Sequence, residues 1–220
     1  MINQEYIMLI MNCKKYRYKA EYQKQTWLKK LPSFLIYYHV IGNIDLETDY
    51  KFDEENKILW IKVEDDYNSL PKKVIRAYQV IHNNFNYKYI FKTDDDQMLT
   101  NEKFLVILRD LLSKKDNINY GGFIVDVKKN HLSQYHNIHP ELPVNLPIFQ
   151  TKYCSGRFYF LSNKSVNSLL QNQKYIEKEY FEDYAIGFFL NSKYKINILN
   201  LMTNKFFNDI ELELELKLGL

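Results

Sequence analysis

Three consecutive carboxylates, Asp94, Asp95 and Asp96, stand in the stretch YIFKTDDDQML. Like charges packed side by side are unfavourable unless a cation offsets them. A divalent cation is the simplest partner. Carboxylate oxygens bind Mg²⁺ or Mn²⁺, commonly through one or two protein ligands, with substrate phosphates completing the shell. The metal then neutralises charge that grows on a leaving phosphate. A solvated acidic turn is the plain alternative, since acidic loops are common on ordinary surfaces. A second pair, Glu182-Asp183, precedes an apolar helical run in YFEDYAIGFFL. Asp183 there can act as a general base or cap the helix. A third acidic group is Glu64-Asp65-Asp66. Cys154, in TKYCSGRFYFLS, has no histidine placed beside it by sequence, and burial as a small structural residue is the commoner fate of such a thiol.

Regular elements must hold these groups. Tyr6 to Met11 reads as a buried strand, Tyr18 to Leu31 as a helix ending near Pro32, and Phe34 to Ile41 and Lys57 to Val63 as further strands. Val74, Ala77, Tyr78 and Ile81 fall at helical spacing, so Pro71 to Asn83 is an expected amphipathic helix. Tyr87 to Lys92 is a strand with the aspartates at its carboxyl end, and a helix is expected over Asn101 to Leu112. Strands separated by helices argue for α/β, in which ligands sit beyond the carboxyl ends of strands. The second half is less regular. Strands are expected at Tyr120 to Val127 and Tyr159 to Leu161, a long loop with short extended pieces over Lys128 to Gln150, and helices at Ser165 to Leu170 and Glu182 to Leu190. The tail ELELELKL, Glu211 to Leu218, alternates as a half-buried strand does, although Leu and Glu also favour helices.

The 220 residues suit one domain with a real core, here 1–220, divided into a donor-binding half of about 1–115 and an acceptor-side half of about 116–220. Apolar residues at 46% and charged residues at 26% exclude a disordered chain. A formal charge of +3 is too small a basic excess to argue for nucleic acid. The short basic-aromatic patch KYRYK, Lys15 to Lys19, reads better as a loop near a diphosphate than as a stacking surface for bases. Two cysteines, Cys13 and Cys154, are too few for a disulfide scaffold. The run YIMLIM is too short for a signal or a membrane span. The expectation is a soluble protein of a reducing compartment, such as the cytoplasm.

Five segments in order resemble the beta-1,3-glycosyltransferases: the galactosyl- and N-acetylglucosaminyltransferases and, more distantly, the Fringe enzymes. KQTWL (Lys24 to Leu28) is similar to the Arg-x-Thr-Trp segment of that family, with Lys24 in place of arginine. VEDDYNSLPKK (Val63 to Lys73) is similar to Asp-x-Tyr-x-Asn-Leu-Thr-x-Lys, matching at Tyr67, Leu70 and Lys73. YIFKTDDDQML carries the Lys-Thr-Asp-Asp-Asp core. YCSGRFYFLS resembles Tyr-Cys-Ser-Gly-Gly-Gly-Tyr-Val-Leu-Ser, with Arg157 and Phe158 replacing two glycines. EDYAIGFFL resembles Glu-Asp-Val-x-x-Gly-x-x-Leu. The resemblance spans about Lys24 to Leu190.

The resemblance implies a GT-A nucleotide-diphospho-sugar transferase fold of class α/β, with a mixed central sheet flanked by helices. It implies an inverting transfer of a hexose or N-acetylhexosamine from a UDP-sugar to the hydroxyl of a glycan, glycopeptide or other acceptor, with Mn²⁺ or Mg²⁺. A beta-1,3 linkage is the expected product. Carried over by position, Asp96 is the metal ligand and Asp183 the general base. Asp94, Asp95, Lys92, Lys24 and Lys73 are donor-side candidates. Tyr153, Gly156, Arg157, Phe158, Glu182 and Tyr184 are acceptor-side candidates. The family often supplies a late histidine to the metal. Here the last histidine is His139, and Asn204, Asn208 and Asp209 are available in its stead. The family's lumenal members are membrane-anchored and disulfide-bonded, and neither feature is carried over to this chain. The rival readings are a nucleotide-sugar-binding protein without turnover and a metal-dependent phosphodiesterase. The latter calls for more convergent acidic ligands.

Overall fold

The computed structural model describes residues 1–211. The run YIMLIM forms β1 (Tyr6–Met11), buried at every position. Ile7, Leu9 and Met11 pack into one apolar cluster, and Tyr6, Met8 and Ile10 into another. A strand covered on both faces reads as a continuous apolar run because neither face meets water. After β1 come α1 (Arg17–Gln25), β2 (Leu35–Gly42), β3 (Tyr50–Asp53), β4 (Ile58–Ile61), α2 (Leu70–Asn84) and β5 (Tyr89–Asp94). Helix α1 stops earlier than its sequence suggests. Thr26 leaves helical geometry and its hydroxyl donates to Tyr22 O at 2.7 Å, satisfying a terminal carbonyl. A short 3-10 turn, Leu28–Lys30, completes the connection.

The chain continues through β6 (Gln97–Leu99), α3 (Lys103–Lys114), β7 (Tyr120–Val127), β8 (Thr151–Ser162), α4 (Asn163–Leu170), α5 (Glu182–Phe189), β9 (Leu199–Asn200) and β10 (Phe207–Asp209). Among the described residues the main sheet has eight strands, in the order β9-β7-β8-β5-β1-β2-β4-β3. Pairing is parallel at β5-β1, β1-β2 and β2-β4, and antiparallel where β8 inserts between β5 and β7. Residues of α2, α4 and α5 join the core on one face, and residues of α3 join the core on the other. This is the mixed sheet flanked by helices of a GT-A-like nucleotide-sugar transferase fold.

Three local features of the structure matter for the site. Strand β8 is twelve residues long, not three, because its first half also pairs with β7. Its register with β7 breaks between Cys154 and Tyr159, so Ser155, Gly156 and Arg157 lie in an irregular stretch beside the end of β5. Such bulges re-aim side chains. The loop over 128–150 contains a small antiparallel pair, His131–Leu132 with Pro147–Ile148. The short strand β10 pairs with β6, bringing Asp209 opposite Gln97. Beyond Glu211, the alternating tail lies outside the described residues.

Candidate active site

The acidic turn follows β5, and its position is set by the parallel register of β1 and β5. Met11 is paired with Asp94, so Asn12 falls beside Asp95. Asn12 Nδ2 donates to Asp95 Oδ2 at 2.6 Å, and the Asp95 N–H donates to Met11 O at 3.0 Å. A buried relay holds the turn from below. Gln23 Nε2 donates to Asp94 O (3.2 Å) and Gln97 O (2.8 Å), and Gln23 Oε1 lies 2.9 Å from His39 Nε2. With the Gln23 amide donors spent on carbonyls, Oε1 is the acceptor and His39 carries its proton on Nε2. Burial holds His39 down to about 3, so its ring is neutral. Burial, opposed by Lys92, pushes the Asp94 carboxyl up to about 6. Burial and the charges of Asp94 and Asp96 push Asp95 up to about 7.

Lys92 lies under this turn and is 1% exposed. Its ammonium meets Asp94 Oδ1 at 2.7 Å, Glu182 Oε2 at 2.9 Å and Gly156 O at 3.0 Å. An ammonium has three donors, so these contacts use them all. Burial disfavours the charge, but Asp94 and Glu182 outweigh it and hold the Lys92 pKa above the ordinary lysine range. Glu182 also accepts from the Tyr159 hydroxyl, which lies 2.6 Å from that of Tyr78. Lys92 is therefore a buried tie between the acidic turn and helix α5, not a group facing the cleft with donors to spare.

Asp183, in the first turn of α5, is held by two backbone donors. Gly156 N–H reaches Oδ2 at 3.0 Å and Tyr184 N–H reaches Oδ1 at 2.7 Å. The helix N-cap is Phe181, so Asp183 does not hold that position. Burial pushes its carboxyl above the usual range, opposed by Lys92 and the two N–H bonds. Helix α5 approaches β8 closely at Gly187, where an added Cβ would lie 2.2 Å from Tyr153 Cβ. That contact fixes the helix against the strand carrying Gly156. A Cβ at Gly156 would lie 3.4 Å from Asp94 Oδ2 and 3.7 Å from Asp183 Oδ2. The carboxylates of the acidic turn and of helix α5 thus converge on one glycine.

These groups line a cleft of about 1200 Å³ at the carboxyl ends of β1 and β5. Of the expected site residues, Lys73, Lys92, Asp94, Asp95, Asp96, Tyr153, Gly156, Arg157, Glu182, Asp183 and Tyr184 all border it. Lys24 does not; it pairs with Glu21 at 2.8 Å on the outer side of α1. Phe158 is fully buried against Phe91, Phe104 and Phe207, so it cannot meet an acceptor there. Lys73 Nζ bonds Asn12 O (2.7 Å) and Asp65 Oδ1 (3.1 Å), and Asp65 also accepts from the Gly42 and Lys14 amides. The third acidic group therefore organises loops. Tyr184 accepts from the Phe149 amide at 3.0 Å. Cys13 and Cys154 are both free thiols, and burial pushes Cys154 up to about 12, far from a nucleophilic thiolate.

Sequence reasoning missed Asn12, Gln23 and His39. Asn12 was findable, since it directly follows a buried strand in a fold whose ligands sit at strand ends. Nothing local marks Gln23 or His39. It also missed a ring stack on the far wall. Tyr67 and His139 lie 4.5 Å apart and nearly parallel, Tyr135 covers the other side of the ring pair at 4.9 Å from His139, and Phe181 lies 5.9 Å from Tyr135.

Among the described residues, no three His, Cys, Asp or Glu side chains form a preformed metal cage. The donor chemistry at the turn still suits a hard cation whose shell a diphosphate completes. Asp96 Oδ1 and Asp209 Oδ1 lie 2.9 Å and 2.7 Å from the same Gln97 Nε2, which brings two half-exposed carboxylates together. Of the three tail residues available in place of a histidine, Asp209 is the one with a carboxylate at this turn. No helix of the described residues is long and apolar enough to cross a membrane.

The family model described as Galactosyltransferase matches residues 20–202. The chain is similar to UDP-GalNAc:beta-1,3-N-acetylgalactosaminyltransferase 2 of Xenopus laevis, 23% identical over 135 residues, and to that of Xenopus tropicalis at 24% over the same length. Each alignment covers 61% of this chain, which spans about a quarter (27%) of the length of those relatives. Among solved structures it is similar to the glycosyltransferase GlyE in Streptococcus pneumoniae TIGR4, at 15% identity and a TM-score of 0.47, over 92% of this chain and 46% of that one. The family match extends over most of the chain and includes the acidic turn, the Gly156 bulge and the Asp183 helix: the chain belongs to the galactosyltransferase family.

Proposed function

We propose that the chain is an inverting glycosyltransferase that moves a hexose or N-acetylhexosamine from a UDP-sugar to an acceptor hydroxyl, forming a beta-1,3 linkage. The observation that carries this reading is the convergence of Asp94 and Asp183 on Gly156. It sets a carboxylate raised by burial across a narrow gap from a turn suited to a diphosphate. Asp183 takes the proton of the acceptor hydroxyl as that oxygen attacks the anomeric carbon. Its two backbone N–H bonds fix the carboxylate, and its raised pKa makes it a stronger base. A single carboxylate opposite the leaving group suffices for inversion; a glycosidase needs two flanking the scissile bond. Asp96, with Asp209 beside it, would hold Mn²⁺ or Mg²⁺, and such a cation supplies charge neutralisation for the departing diphosphate. Asn12 and the Gln23–His39 relay keep the turn in place. Lys92 ties that turn to α5, so both halves of the site hold one separation. The acceptor enters along Tyr153 and the Tyr67–His139–Tyr135 stack, aromatic side chains that suit sugar C–H groups.

The test is incubation with a panel of UDP-sugars, Mn²⁺ and simple glycoside acceptors, read by product mass and linkage. A new glycoside with inverted anomeric configuration is expected. UDP binding without any product from the panel would favour a nucleotide-sugar-binding role.

A further inference from the structure

Arg157 borders the cleft, and its side chain reaches toward the acidic turn. It sits in the irregular stretch of β8, directly after the glycine whose N–H holds Asp183. Thr93 Oγ1 donates to Arg157 O at 2.7 Å, which pins this backbone to the end of β5. The side chain runs to β10. Nη1 donates to Phe207 O at 3.0 Å, and Nη2 lies 3.3 Å and 3.4 Å from the two Asp209 oxygens. Asp209 in turn shares the Gln97 amide with Asp96. The guanidinium therefore stands one carboxylate away from the acidic turn.

Three of the other cations of the cleft are committed more deeply, while Lys15, Lys128 and Lys129 border it as exposed side chains. Lys92 has all three donors engaged in the interior. Lys73 is 3% exposed and bonded to Asn12 O and Asp65. Lys19 pairs with Glu211 at 2.9 Å. Arg157 differs from Lys92, Lys73 and Lys19 in two respects. Its side chain is 30% exposed and borders the cleft. A guanidinium carries five N–H donors in a planar fork; the described contacts occupy only its two terminal nitrogens, and those to Asp209 are long for a charge-assisted bond. It keeps donors for a second anion, in the fork geometry that matches phosphate.

We propose that Arg157 is a leaving-group residue that binds the diphosphate of the donor. The inference rests on the transferase reading above and adds to it a protein cation acting at the phosphate. In the reaction the acceptor oxygen bonds to the anomeric carbon as the bond from that carbon to the diphosphate oxygen breaks. The electron pair stays on the phosphate, and the acceptor proton passes to Asp183. Arg157 donates hydrogen bonds to the phosphate oxygens as that charge develops. One segment, Gly156-Arg157, thus serves both ends of the displacement: its first residue orients the base and its second meets the leaving group.

The experiment compares Arg157→Met and Arg157→Lys with wild type for binding of UDP by calorimetry and of uridine by saturation-transfer NMR, all with saturating Mn²⁺. A hydrogen bond to a charged group contributes enough that R157M is expected to weaken UDP about 10- to 100-fold. Uridine affinity should stay unchanged, and R157K should recover part of the UDP loss. Unchanged UDP affinity in R157M would overturn the assignment and leave Arg157 as a tie to β10. Equal losses for UDP and uridine would also overturn it, because the substitution would then be disturbing the whole nucleotide site. Wild type binding neither compound would overturn the transferase reading itself, and this inference with it.

Discussion

Lys92 Nζ lies 2.9 Å from Glu182 Oε2, joining the strand that ends in the acidic turn to the helix that begins with the candidate base. Both side chains are buried, at 1% and 3% exposure. A buried pair like this contributes little net stability over an apolar one, but removing one partner strands the other charge. Its value here is geometric, because Asp94 and Asp183 are separated in sequence and must keep one spacing.

Lys92→Met should therefore destabilise the protein by about 3–5 kcal/mol. Glu182→Gln added to it should restore part of the loss, since one of the stranded carboxylates is then neutral. Denaturant unfolding of the single and double variants checks this. A double variant as unstable as the single one would mean that Asp94, not Glu182, is the partner that matters.

Asp183→Asn keeps the side-chain size and an oxygen that can accept one of the two backbone bonds. It cannot take a proton. Turnover should fall by about 10²–10⁴-fold with UDP affinity unchanged, because the acidic turn is untouched. Steady-state kinetics on whichever acceptor works, with circular dichroism to confirm the fold, decides the matter. Near wild-type turnover would remove Asp183 from the mechanism.

Asp96→Ala tests the cation. UDP should bind wild type more tightly with Mn²⁺ than without, and the variant should lose most of that gain. Calorimetric titration under both conditions reads it directly. Equal wild-type affinities with and without Mn²⁺ would sink the metal bridge.

His39 gives the fold a pH signature. Its folded pKa of about 3 lies below the unfolded value near 6.5. Between these values the unfolded chain takes up a proton that the native protein refuses. Stability therefore falls as pH drops from about 6.5 toward 3, by about 1.4 kcal/mol per pH unit from this group. His39→Gln should make the pH dependence of unfolding shallower by that amount between pH 6 and 4. Parallel curves for the two proteins would show that His39 is protonated in the native state.

What the sequence determined by itself was the alternation of elements and the two acidic centres. YIMLIM and YIFKTD are legible because a strand buried on both faces must be apolar throughout, and the Asp triplet at the end of such a strand marks a candidate ligand site. The Leu70–Asn84 helix is legible because Val74, Ala77, Tyr78 and Ile81 share one face. Tertiary structure alone decided the rest. Lys92 lies two residues before Asp94, yet its ammonium is spent on Glu182 and Gly156, and only the insertion of β8 beside β5 brings those acceptors to it. Arg157 reads as an acceptor-side residue from its motif but turns toward Asp209, because the break in the β8 register re-aims it and β10 pairs with β6. Gln23 and His39 meet under the acidic turn through the packing of α1 against the sheet. Local pattern reports which face of an element is buried. It carries no record of which distant donor meets which acceptor, because that depends on register and packing across the sheet.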